Sequence, residues 1–132
     1  VINKKIRAIL KTRNGVDLNE FNRLTEEVNK WNVILDNTTI AFVASRRINF
    51  LMDRFKEKPS DLELLNEIKT TLEIINKLNL DLDVWRAQNN LFYISKKHFS
   101  SYRKRANQKD ENAIKWLEGM AILEQNLNIK IS

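Results

Sequence analysis

The residues with the most chemistry in this sequence lie between positions 85 and 109. Trp85-Arg86-Ala87-Gln88-Asn89-Asn90 puts an indole, a guanidinium and three carboxamides within six positions. An indole face can stack on a sugar ring, while amides and a guanidinium hydrogen-bond hydroxyls or a partner's backbone. Trp85, Arg86, Gln88, Asn89 and the nearby Tyr93 therefore form a candidate contact motif. The plainer alternative is architectural. Trp85 would pack in the core, and Gln88 or Asn89 would satisfy the orphan backbone groups of a neighbouring helix end.

Further along, Lys96, Lys97, Arg103, Lys104 and Arg105 form a basic cluster interleaved with Phe92, Tyr93, Phe99 and Tyr102. The formal charge of the chain is +6, and the stretch from Val84 to Lys109 holds seven basic residues and no acidic one, leaving −1 for the rest. Cations neutralise phosphates and rings offer stacking faces, so this is a candidate surface for nucleic acid or another polyanion. The alternative is a solvated helix face. Its cations would oppose the macrodipole near the C-terminus, and Asp81 and Asp83 would do the same at the N-terminus. Phe92, Phe99, Tyr102 and Ala106 would then share the core side. No recognised nucleic-acid-binding signature accompanies the cluster.

Other reactive side chains give less. Arg46-Arg47 falls in an apolar helix, so one of the two must lean toward the core. A buried arginine needs a carboxylate, which Asp53, Glu67, Glu73 or Asp83 could supply; anion binding is the alternative. Glu26-Glu27 and Asp110-Glu111 are adjacent and face apart on a helix, so neither makes an acid/base pair. His98 is the only histidine and reads as a boundary residue rather than a general base. Without cysteine there are no disulfides and no thiolate metal ligands. There is no glycine-rich phosphate loop, nucleophile elbow or metal-ligand spacing. No catalytic residue, metal ligand or cofactor is assigned.

The elements that must position these residues are helical. The chain has 132 residues with two glycines and one proline, where average usage would supply roughly 9 and 6. Sheets need many special turns, so an all-β fold is close to excluded. Ile2, Ile6, Ile9 and Leu10 mark a first helix, stopped by Asn14-Gly15. Asp17 caps a second, with Glu20 completing a capping box and Leu18, Phe21, Leu24, Val28, Trp31 and Leu35 facing inward. The third follows cap residues at 36–39 and carries Ile40, Val43, Ala44, Ile48, Leu51, Met52 and Phe55. Ser60 caps a fourth, with Glu63 as its capping-box partner. Asp81 or Asp83 caps the long fifth helix, and Asp110 caps a last one with Ala113, Trp116, Leu117, Met120, Ala121 and Leu127 inward. Gly119 costs about 1 kcal/mol in a helix interior, which points to a close helix crossing there.

Connections of about 4–5 residues suit helices packed against their neighbours. The expectation is a single all-α domain over residues 1–132, an antiparallel bundle of five or six helices, with a frayed tail at 129–132. No apolar run approaches the roughly 20 residues of a membrane span. The absence of cysteine and of a signal sequence suits a bacterial cytoplasm. A first residue of Val suggests a piece of a longer polypeptide.

Two segments resemble a known family. Lys58-Pro59-Ser60-Asp61-Leu62-Glu63-Leu64-Leu65 is followed by Leu80-Asp81-Leu82-Asp83-Val84-Trp85-Arg86-Ala87-Gln88-Asn89 and then Phe92-Tyr93. This L-x-L-D-x-W-x-A-Q-N run is similar to the end of the uncharacterised helical domain C-terminal to family-57-type glycoside hydrolases, the alpha-amylase and alpha-mannosidase-like proteins. The resemblance covers about half the chain and implies a non-catalytic accessory or structural domain. Its partners would be an upstream catalytic domain of the same chain and carbohydrate. The catalytic carboxylates would lie upstream, so none is carried over here. Two other functions are open: a basic helical module binding nucleic acid or another polyanion, and a scaffold that binds a protein through an apolar stripe.

Overall fold

The computed structural model describes residues 1–12 and 17–128, and its regular structure is entirely helical. Six helices follow one another: α1 (Ile2–Lys11), α2 (Leu18–Trp31), α3 (Asn37–Glu57), α4 (Leu62–Asn76), α5 (Trp85–Asn107) and α6 (Glu111–Asn126). The Asn14-Gly15 stop and the 129–132 tail lie outside the described residues.

Four of the helices begin on an aspartate whose carboxylate accepts a first-turn N–H: Asp17, Asp36, Asp61 and Asp110. This satisfies one of the donors that every helix start leaves without an intrahelical partner. At α2 the carboxylate of Glu20 is engaged by Arg23 at 2.6 Å. At α4 the expected Ser60–Glu63 box is replaced by Asp61, which accepts from the Leu64 N–H at 3.0 Å. The reason is the turn before it: the Asp61 N–H closes back on the Lys58 carbonyl at 3.1 Å, which places Ser60 inside the turn.

The helices sort into two layers. α1, α3 and α5 lie side by side, as do α2, α4 and α6, and each odd helix packs on the even one that follows it. α2 and α3 are consecutive but do not pack together, and the same holds for α4 and α5. The bundle is therefore three helical hairpins set next to one another. Direction follows from cross-links. Asn3 of α1 meets Ile34 and Asp36 just before α3, and Thr12 at its end meets Arg47. Ser45, Asn49 and Asp53 of α3 meet Asp83, Ala87 and Asn90 in ascending order. So α1, α3 and α5 are parallel. In the other layer Pro59 meets Trp116 and Asn76 meets Asn126, making α4 and α6 parallel.

The core lies between the layers. Ile6, Phe21, Ile40, Ile48, Leu51, Phe55, Ile68, Leu72, Ala87, Leu91 and Trp116 are fully enclosed. Trp116 donates its indole N–H to the Pro59 carbonyl at 2.7 Å and stacks on Tyr102 with ring centroids 3.9 Å apart. Gly119 is buried where α6 crosses α4, and a Cβ there would sit 2.6 Å from Leu65 Cδ2. That is the close crossing its position implies.

Several inward assignments shift. Trp31 is 68% exposed, because α2 ends there and Asn32 turns the chain at a φ of 50°. Leu35 is partly buried in the connection to α3, and Ala121 is exposed. On α5 the buried stripe runs through Ala87, Asn90, Leu91, Ile94, Ser95 and Tyr102. Phe92 stands one helical step off that stripe and is 46% exposed. Phe99 and Ala106 are half-buried.

Candidate polyanion-binding face

The start of α5 is built from α3. Ser45, Asn49 and Asp53 are four residues apart and so share one face of α3. Ser45 Oγ accepts from the Asp83 backbone N–H at 2.9 Å, and Asn49 Nδ2 donates to the Asp83 carbonyl at 3.3 Å. Asn49 Oδ1 accepts from the Ala87 N–H at 2.9 Å. Asp53 takes Asn90 Nδ2 at 2.8 Å and pairs with the Arg86 guanidinium. The expected cap at Asp81 or Asp83 is thereby corrected. α5 starts after Val84, which supplies no side-chain bond, and Asn49 caps the helix from across the layer.

This scaffold disperses the candidate contact motif. Arg86 turns toward α3, while Gln88 Nε2 donates to the Leu127 carbonyl at 2.7 Å, closing the end of α6. Gln88 thus performs the architectural task the sequence offers it. Trp85 does not: it is 72% exposed, because the core position at this turn belongs to Ala87. Asn89 and Tyr93 are also exposed.

Lys96, Lys97, Arg103 and Lys104 all stand in solvent. Arg105 is engaged at the α5–α6 corner. Its Nε donates to Asp110 at 2.9 Å and its guanidinium lies 4.8 Å from the Tyr102 centroid. That bond holds the Asp110 carboxyl below its ordinary value, with the Ala113 N–H adding to it. Arg47 is the arginine that leans inward. It is 5% exposed, and its guanidinium donates to the Thr12 carbonyl. Burial pushes its pKa down and the charge of Glu67 opposes that. Of the four carboxylates considered for it, Asp53 is taken by Arg86. His98 is half-buried, and burial, then Lys97, lowers its pKa.

The layers give the charge a geometry that linear order hides. α1 carries four cations and no carboxylate; α3 carries four cations against Asp53 and Glu57; α5 carries six cations and no carboxylate. The odd layer is formally +12. Each even helix carries three glutamates against one or two cations, and that layer is −5. Phe42, Phe50, Trp85, Phe92 and Tyr93 are exposed on the odd layer. Cations flank most of these rings. Arg46 lies 5.7 Å from the Phe42 centroid, Arg54 5.8 Å from that of Phe50, and Lys96 5.3 Å from that of Phe92. Lys56 of α3 and Lys97 of α5 lie 4.5 and 5.7 Å from the Tyr93 ring. Tyr93, Lys56, Lys97, Arg86 and His98 line a groove of about 720 Å³ between α3 and α5, together with Asp53, which Arg86 neutralises, and Glu57. The contribution of α1 and α3 to this face becomes visible only once the layers are known.

Among the described residues, no group of three or more His, Cys, Asp or Glu could hold a metal ion, and no helix is long and apolar enough to cross a membrane. No family model, curated protein or solved structure matches the chain.

Proposed function

We propose that this chain is a non-catalytic helical module that binds a polyanion on the outer face of α1, α3 and α5. The observation that carries the reading is the division of charge between the helices of the two layers, +12 against −5, with Arg47 the one buried cation in that count. A face of one sign raises the local concentration of opposite charge and speeds encounter with it. Its expected compartment is the bacterial cytoplasm. The test is binding to heparin and to oligonucleotides across a salt series. Affinity should fall linearly with salt on logarithmic axes, with a slope of several units, since each neutralised phosphate contributes about 0.7–0.9. Absence of binding to either at about 20 mM salt, well below the roughly 100 mM at which the Debye length is near 10 Å, sinks the reading.

A second reading is an accessory domain of a glycoside hydrolase-like protein, with an upstream catalytic domain or carbohydrate as partner. Trp85 favours it, being exposed with no architectural duty while Arg86 and Gln88 beside it are engaged in the fold. Affinity electrophoresis through soluble starch and glycogen tests the sugar contact. Retardation that disappears in Trp85→Ala supports it, and equal mobility with and without polysaccharide removes it.

A further inference from the structure

We infer that the polyanion is single-stranded nucleic acid, with bases stacking on the exposed rings of Phe50 and Tyr93 and phosphates held by Arg46, Arg54, Lys56 and Lys97. The inference rests on the polyanion reading and narrows it. Charge alone would suit any polyanion, but it does not account for rings exposed among the cations. Phe42, Phe50, Phe92 and Tyr93 are left about half in water. Four rings of the odd layer, Phe42, Phe50, Phe92 and Tyr93, are exposed with a cation beside each. Unpaired bases use both features at once, because each presents a flat π face next to a phosphate.

Most of the competing partners use one. A duplex keeps its base faces stacked inside and offers backbone and base edges but no π face. Heparin has charge and no π system. An acidic peptide segment needs the cations but not the rings. An anionic bilayer takes rings as interfacial anchors and cations at its headgroups, so it is the rival set directly against dT12 in the experiment below. The two ring-bearing rows belong to neighbouring parallel helices, whose axes lie about 8–10 Å apart. A strand crossing from Phe50 to Tyr93 passes Asp53, whose charge Arg86 neutralises, and reaches a groove in which Glu57 is the one other carboxylate, among Lys56, Lys97 and Arg86. The groove between the helices places Lys56, Lys97 and His98 beside Tyr93, where a phosphate would sit next to a stacked base.

The experiment is fluorescence anisotropy with labelled dT12, a duplex of the same length, and unlabelled heparin and phosphatidylserine vesicles as competitors, on the full chain. The expected result is dT12 bound at least fivefold more tightly than duplex. Phe50→Ala and Tyr93→Ala should each weaken dT12 by about tenfold, within the range for loss of one base-stacking ring, and leave heparin binding within about twofold. Helical circular dichroism of each variant checks the fold, and Tyr93→Trp should restore or strengthen dT12 binding if Tyr93→Ala loses structure. Equal affinity for dT12, duplex and heparin, unchanged in the ring variants, overturns the inference and leaves the polyanion reading standing. Preference for the vesicles overturns it as well. No binding to any probe overturns both.

Discussion

Replacing Gly119 by alanine should destabilise the protein, although alanine is the better helix former by about 1 kcal/mol. The added Cβ would meet Leu65 Cδ2 at 2.6 Å and Cγ at 2.8 Å. Contacts that short force Leu65 to move, and Leu65 is 2% exposed with no room to swing into solvent. Overpacking of this kind costs about 1–3 kcal/mol, so the net loss should fall between about 0 and 2 kcal/mol. The reasoning predicts a change of sign in a second background. Leu65→Ala alone should cost about 2–5 kcal/mol as a buried cavity, but once the leucine is gone the Cβ has space. Adding Gly119→Ala there should then stabilise by roughly the 1 kcal/mol of helix propensity. Urea unfolding followed by circular dichroism gives all four corners of the cycle, and the expected coupling is about 1–3 kcal/mol. If Gly119→Ala raises stability by the same amount in both backgrounds, the close crossing is not what selects glycine.

Asn49→Ala should lower stability by about 1–2 kcal/mol in the same assay, since it removes the cap on the Ala87 N–H and leaves that donor partly buried. Trp85→Ala should change stability by less than about 0.5 kcal/mol, as an exposed residue without partners does. His98 is the only histidine, so its NMR titration is easily followed, and its midpoint should lie below the ordinary 6.5. The folded form therefore holds fewer protons than the unfolded one near that pH. Its contribution to stability is full above pH 6.5 and is lost as pH falls through the lower folded value; dT12 bound in the α3–α5 groove should move the midpoint upward. Asp110 is held below its ordinary 3.8 chiefly by Arg105. The stability gap between wild type and Asp110→Asn should thus persist above pH 3.8 and shrink as pH falls below it, measured by the urea midpoint.

How much of this could be read from the sequence depended on whether the relevant interaction is local. Asp17 and Asp110 are legible as caps because a cap bonds a donor two or three residues on. Gly119 is legible as a crossing because nothing nearby in sequence explains a glycine there. The cap of α5 is not legible, since its acceptor is Asn49, 38 positions earlier. Local rules pointed to Asp81 and Asp83 because they are the nearest carboxylates. Hydrophobicity alone favours Trp85 and Phe92 for the interior, but the inward positions of α5 at those turns are held by Ala87, Asn90 and Leu91. Asn90 fits there because α3 offers Asp53 as an acceptor. Linear order shows the basic face as one helix, and its extension over α1 and α3 depends on which helices share a layer.

The cap that Asn49 lends to α5 also has a kinetic side. A helix that carries its own N-cap can flicker into shape before it docks. The first turn of α5 lacks that option, because the Asp83 and Ala87 amides find their acceptors on the preceding hairpin. The third hairpin is thereby made conditional on the second. Amide hydrogens at 83 and 87 should exchange only when the two hairpins separate, at rates tracking that opening rather than local fraying. A peptide spanning α5 and α6 alone should be disordered through its first turn, and the opening step is one that Asn49→Ala would accelerate.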